Sequence, residues 1–572
     1  MKVLPFRWMT AACGLLVALT AVAPLARAQQ AVLVEEEAVV EATGEAKPLA
    51  IVTFSSYDEL MKDVDFIGSL AGQQQASDQI KGLINLVTQQ KGLAGLDTTK
   101  PIGAVVQSDG ASFGGAVCLP VTDFNALLEV AKGFQVTSQD AGNGLLQIMG
   151  PGGQGAFAKN ENGWAMLSLS AQMLEGLPAD PGALFAALTD EYDVAVRVHV
   201  QNVPAAYREM AVGAMSQGAM QGMVQKDDES EEDYATRKGQ VETQLSELKR
   251  FFSELDEFTF GLSVDDESKK AHIDVAYTAV PGSKLAEEIA AQSNATTNFA
   301  GFAQTDAAAT MAFASKMDGA NAAQMDQMIE QLRTQAAKAI DEESDLENES
   351  SKETMKAAFN DFIDAVKATL EAGVMDGGAT LMMAPESLTF VAGGFIADPA
   401  KVESGLKKIA EVGKAEEKDM PEVKWATEKH GDVTFHTMAI PVPEGEKEPR
   451  QLFGENIDLA VGVGKESVYF AAGRDAIATI KKVIDDSASS PAKAIPPMEL
   501  KVALGQIMNV AQSMAEGEEK AQLEAIASML ANDVNGADHV SIVASPIENG
   551  IKMRIEAEEG VLRAIGMGSK MR

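Results

Sequence analysis

The chain has 572 residues, 46% of them apolar, so packed cores are expected and wholesale disorder is not. Its 47 Lys and Arg face 84 Asp and Glu, a formal net charge of −37, which argues against nucleic-acid phosphates or an anionic membrane face as partners. Only 5% of the residues are aromatic, too few for base-stacking platforms.

Residues 1–28 read as a secretory signal peptide. Lys2 and Arg7 form its basic start, Met9 to Pro24 is an almost uncharged apolar run, and Ala26-Arg27-Ala28 is a small-residue cleavage site. Pro24 and Arg27 keep the run short of the roughly 18–20 residues that span a bilayer. Cleavage after Ala28 removes the three cations Lys2, Arg7 and Arg27, which takes the formal charge from −37 to −40. It also removes Cys13 and leaves Cys118, which cannot form an internal disulfide and reads as a small buried apolar residue. The mature chain is therefore expected to be periplasmic or secreted, with no transmembrane helix. Residues 29–47 read as an acidic leader or linker.

From there a pattern recurs four times: a strand, a long helical stretch, two strands joined by a turn, and a helix. The first copy predicts strands over 49–57, 102–107 and 112–119, helices over 58–91, and a helix from Thr122, capped by Thr122 or Asp123. The second opens on Asp193 to Gln201, whose Val-Ala-Val-Arg-Val-His-Val core alternates as a strand should. Helices over 203–255 follow, then strands over 258–264 and 271–278 and a helix from Ser283. The third places strands at 308–315, 379–384 and 387–396 around helices over 320–372, with Asp398-Pro399 opening the next helix. The fourth places strands at 499–504, 539–545 and 551–557 around helices over 506–531, then a last helix over 558–565.

Strand-rich inserts separate copies one from two and three from four. The first is predicted over 145–149, 155–159 and 164–168; the second over 423–428, 433–441, 457–463 and 468–472. The fold expected is α+β: two similar halves, 48–295 and 300–568, each with antiparallel strands packed against long helical hairpins. A duplication of about 250 residues explains that order, at the scale of one or two domains.

The hairpins carry clear seams. Val241, Leu245, Leu248, Phe252 and Leu255 recur at helical spacing, as do Met355, Phe359, Phe362, Val366 and Leu370. Their connections, Lys226 to Asp233 and Asp341 to Glu349, are strongly acidic. Carboxylates suit Ca²⁺, but neither run has the alternating oxygen ligands and central glycine of a calcium loop, so solvated hairpin tips are the plainer reading.

The sequence carries no catalytic motif. His199, His272, His430, His436 and His539 occur singly, with no metal-binding spacing and no cysteine partner. No nucleophile elbow or phosphate loop is present, and Gly462-Val463-Gly464 lacks the third glycine of a dinucleotide fingerprint. With 84 acids, paired carboxylates carry no information. No cofactor or metal is expected.

Methionine is the compositional oddity, at 27 residues. Met215, Met220 and Met223, with Met210, cluster in a Gly- and Ala-rich helix, and Met325-Asp-Gln-Met328 repeats the spacing of Met220-Gln-Gly-Met223. The plain reading is that these side chains fill gaps where helices cross a sheet. Thioether ligation of Cu(I) and a plastic apolar groove for a lipid or peptide are the alternatives.

The signal peptide, the acidic mature chain and the strand pair leading into Leu119-Pro-Val-Thr-Asp-Phe-Asn-Ala-Leu-Leu resemble a family of uncharacterised exported proteins from planctomycete-type bacteria. That family has no established catalytic residues, so the resemblance carries none over to this chain. The function expected is non-catalytic, either binding to an envelope partner or a structural role. A carrier of an apolar ligand and a carboxylate hydrolase are the alternatives.

Overall fold

The computed structural model describes residues 46–568 apart from 111, 154, 227–228, 317–321, 343–345, 347, 417–419 and 532–536. The signal segment 1–28 and nearly all of the 29–47 leader lie outside the described residues. The fold is α+β. The chain divides into two compact units, one up to Leu285 together with the residues from Ile565, the other from Ala286 to Ala564.

The first unit contains β1 (Lys47–Phe54), α1 (Tyr57–Leu70), α2 (Ala76–Val87), β2 (Ile102–Ser108), β3 (Phe113–Pro120), α3 (Phe124–Lys132), β4 (Thr137–Gly142), β5 (Leu145–Met149), β6 (Gly155–Glu161), β7 (Trp164–Ser168), α4 (Ala171–Glu175) and α5 (Gly182–Thr189). It continues with β8 (Val194–His199), α6 (Ala205–Gln221), α7 (Glu231–Glu254), β9 (Leu255–Asp265) and β10 (Lys270–Ala279); the unit boundary falls in α8 (Lys284–Gln292). Local chemistry sets several starts. Ser56 Oγ accepts from the Glu59 N–H at 3.1 Å to open α1. Asp123 accepts from the Asn125 and Ala126 amides to open α3.

The strands lie in the order β10, β9, β8, β1, β2, β3, β7, β6, β5, β4, and each described pairing is antiparallel. Ile51, Val105, Cys118, Trp164 and Met166 share one face and pack with Leu174, Phe185 and Leu188 from the short-helix segment. Gly103 makes room for this packing, because a Cβ there would stand 2.3 Å from the Phe185 ring. Cys118 is fully buried, and burial pushes its thiol up to about 12.

The second unit contains β11 (Thr296–Thr297), β12 (Ala309–Lys316), α9 (Ala322–Glu342), α10 (Glu349–Glu371), β13 (Val374–Ala384), β14 (Ser387–Phe395), α11 (Pro399–Glu416), β15 (Lys424–His430), β16 (Val433–Pro441), α12 (Lys447–Phe453), β17 (Asn456–Val463) and β18 (Ser467–Gly473). It continues with α13 (Ala476–Ala488), β19 (Lys493–Ala494), β20 (Met498–Ala503), α14 (Leu504–Met514), α15 (Gly517–Ala531), β21 (His539–Ile547) and β22 (Gly550–Glu558), and α16 (Glu559–Gly568) crosses the unit boundary. Its main sheet runs β22, β21, β20, β12, β13, β14, β18, β17, β16, β15, again antiparallel. Replacing β12 to β14 by β1 to β3, β15 to β18 by β4 to β7, and β20 to β22 by β8 to β10 turns this order into that of the first unit. The core joins Val391, Phe435, Tyr469 and Ala471 to Ile480 and Val483 of α13 and to Phe302.

Elements that the structure adds to the sequence reading include β4 and α12, besides the paired two-residue strands β11 and β19. β4 is almost wholly exposed and has no apolar alternation, so backbone pairing with β5 alone identifies it. The short α12 falls in a charged stretch with one buried residue, Leu452, too little for a periodic signal.

Candidate functional site

Strand alternation sends successive side chains to opposite faces, so register decides which residues form a surface. In the first unit Val52, Val196, Phe260 and Val275 align across β1, β8, β9 and β10. Phe54, Val194, Leu262 and Ile273 form the row on one side, and Ala50, Val198, Phe258 and Tyr277 the row on the other. All are apolar or aromatic, and none is buried. Phe54, Phe258, Phe260 and Ile273 keep 37–40% of their surface exposed.

The opposite face of the same strands is the covered one. Thr53 and Asp274 are fully buried there, as is Ala195, and Thr259 nearly so. Tyr192 donates its hydroxyl to Asp274 at 2.9 Å, and Gly261 leaves space for the Tyr192 ring, which a Cβ would meet at 2.3 Å. His199 and Arg197 approach Glu257 at 2.8 and 3.6 Å. The His199 contact holds the Glu257 carboxyl below its ordinary range against the opposing effect of burial. In these four strands the more polar face is therefore closed and the apolar face largely open, the reverse of the usual one-sided sheet. At one corner of the apolar face, Phe251 of α7 stands edge-on to Tyr277 at 5.5 Å.

The second unit repeats the apolar face on its corresponding strands, although its reverse face is not closed in the same way: Lys501 there is exposed. Met311, Leu500, Ile542 and Ile555 align across β12, β20, β21 and β22. Phe313, Met498, Ala544 and Met553 flank them on one side, with Ala309, Val502, Val540 and Ala557 on the other. Again none is buried, and Met311, Met553 and Ile555 are 37–41% exposed. The reverse face carries Thr310, Lys501, Ser541 and Glu556 in one row. Strands β1, β8, β9, β12, β20 and β21 each pair on both sides, so their amides are spent within the sheet. What these faces offer is apolar area, not hydrogen bonds.

The methionine candidates are placed differently. Met215 and Met220 lie in α6, which has no buried side chain, and Met215 is 42% exposed. They do not plug a gap between helix and sheet. The apolar and small residues of α6 are spread around its circumference, so it has no single seam to bury. Met223 lies just beyond α6, where its carbonyl accepts from Tyr234 Oη at 3.0 Å and its sulfur meets Arg237. Met325 and Met328 fall in α9, but their side chains lie outside the described residues. Of these candidates Met215 is exposed, Met220 half-buried and Met223 held against Arg237.

In the α6–α7 connection, Glu229 is held by Arg237 at 2.6 Å, and that hydrogen bond brings its carboxyl down to about 2. His430 and His436 do not converge: His430 Nε2 meets Asp485 at 2.7 Å, whereas His436 is buried beside Ala426 and Glu403. Among the described residues no three His, Cys, Asp or Glu side chains form a group able to hold a metal. On α1, burial and then Asp193 push the Asp63 carboxyl up to about 8. Its Oδ2 is buried with no hydrogen-bond partner.

The open faces escaped the sequence reading. Their signal was the alternation Phe258-Thr-Phe-Gly-Leu-Ser-Val264, which marks a one-sided strand without saying which side is covered. Compared with known proteins, the chain matches no family model, no curated protein and no solved structure.

Proposed function

We propose that this is an exported, non-catalytic carrier that takes a neutral apolar ligand, an acyl chain or similar hydrocarbon, on the open sheet face of its units. The observation that carries the reading is the open apolar face built on corresponding strands of both units. At about 4.8 Å between strands and 3.4 Å per residue, each block of four strands and three rows spans roughly 14 by 14 Å. Apolar side chains gathered contiguously over this span, in place of being scattered singly, support a binding surface. A net charge of −37 disfavours an anionic headgroup, which supports a neutral ligand. No helix among the described residues is long and apolar enough to cross a membrane. The basic-apolar-small start of the chain supports export, and N-terminal sequencing of secreted material should begin at Gln29. The shared strand order supports a duplication that gave each half its own face.

The test is titration with the neutral dye N-phenyl-1-naphthylamine. Wild-type protein should bind it with a blue shift. Phe260→Glu and Ile555→Glu should each remove one class of site, weakening binding there by about tenfold or more through the buried carboxylate. Circular dichroism should be unchanged. Absence of dye binding, or full binding by the double variant, overturns the proposal. Native mass spectrometry of protein from its source should retain a hydrocarbon-bearing compound; a retained protein partner in its place would refute the ligand class.

A further inference from the structure

The ladder between β15 and β16 is interrupted beside a buried imidazole. Lys424 pairs with Thr437 and Glu428 with Phe435, so Trp425, Ala426 and Thr427 together stand opposite His436. Ala426 adopts φ +51°, a left-handed conformation that alanine does not favour. The segment is held at three points. The Ala426 N–H donates to His436 Nδ1 at 3.0 Å, Thr427 Oγ1 donates to the Phe435 carbonyl at 3.2 Å, and the Trp425 ring meets the His436 ring edge-on at 5.1 Å.

The first of these contacts fixes the protonation state. A backbone N–H can only donate, so Nδ1 must accept, and the ring proton sits on Nε2. That nitrogen is buried without a hydrogen-bond partner. The charged groups facing the ring come from α11. Glu403 Oε1 lies 3.7 Å from Nε2, and Lys407, which hydrogen-bonds Glu403 at 2.6 Å, stands over the Trp425 ring. From β17 the cross-strand neighbour is Val461, which carries no charge. On β15, Lys424, Glu428 and Lys429 flank the bulge.

We propose that His436 is a proton-operated latch: neutral, it pins the 425–427 bulge through Ala426, and protonated, it releases that segment. A second proton on the ring occupies Nδ1 and turns the acceptor into a donor facing another donor. The Ala426 hydrogen bond is then lost, which leaves only the Thr427 and Trp425 contacts against the left-handed backbone. Nε2–H meanwhile gains a charged partner in Glu403, so the imidazolium has a place to rest once formed. Burial holds the imidazole below its ordinary range, with Glu403 opposing and Lys407 adding. Release is therefore set below the ordinary histidine range, where a protein at neutral pH keeps the latch shut.

Hydrogen exchange of the full chain, corrected for the intrinsic pH dependence of exchange, tests the latch. Between about pH 7.5 and pH 4 the peptide over 424–430 should lose protection by about tenfold, while the peptide over β17 should not change. His436→Asn supplies an amide oxygen to the Ala426 N–H at every pH, so it should abolish the pH dependence and keep the segment protected. His430→Asn removes the neighbouring imidazole and should leave the pH dependence intact, which keeps the test decisive if His436→Asn does not fold. Equal protection at both pH values in wild type, loss of the effect in His430→Asn, or its survival in His436→Asn each overturns the latch.

Discussion

Phe185→Ala should destabilise the first unit by about 3–5 kcal/mol, and Phe260→Ala by less than about 1 kcal/mol. Phe185 is fully buried, seated against Gly103 and edge-on to Trp164 at 6.0 Å. Removing its ring leaves a cavity that the strand backbone cannot collapse into. Phe260 keeps 40% of its surface in solvent on the other side of the same sheet, so little packing is lost with it. Urea unfolding of the full chain, followed by circular dichroism, measures both. Similar losses for the two variants would mean that the Phe260 face is covered in solution, and the carrier reading would fall with it.

Asp63→Asn should raise stability by about 1–3 kcal/mol near pH 9 and leave it nearly unchanged near pH 4. Asp63 is 6% exposed on α1, and its unpartnered Oδ2 is shut away from water. Burial, then the nearby Asp193, favours the protonated acid and moves the group from 3.8 to about 8. Asp193 is itself raised by burial, although the Val264 N–H at 2.7 Å works against this. A folded-state value above the unfolded one means that the favourable contribution is complete below about pH 4. It is lost as pH rises through about 8, because the folded chain must then hold a buried charge. The neutral amide of Asn escapes that loss. Thermal unfolding from pH 4 to 9 should show the wild type falling relative to the variant across this window. Parallel profiles would show that Asp63 is ionised and solvated throughout.

Most elements were legible in the sequence because their signals are local. The alternation in Val194 to His199, the cap at Asp123 and the seam from Val241 to Phe252 each need only neighbouring residues. β4 was not legible because its pairing is a backbone property and its side chains face water. The methionines illustrate the opposite error. Met215 sits in a sequence that looks suited to packing, yet α6 buries nothing. A helix with apolar residues on every side does not say which side meets a partner.

The candidate site divides in the same way. Residue-by-residue alternation of side-chain direction already puts Phe258, Phe260 and Leu262 on one face of β9. It also puts Thr259 and Gly261 on the other. That the second face is closed and the first left open is not written in that alternation. Coverage depends on what packs above a strand, here Tyr192 against Gly261 and Asp274, and those residues are distant in the chain. A period of two fixes the faces of a sheet, and long-range packing chooses between them.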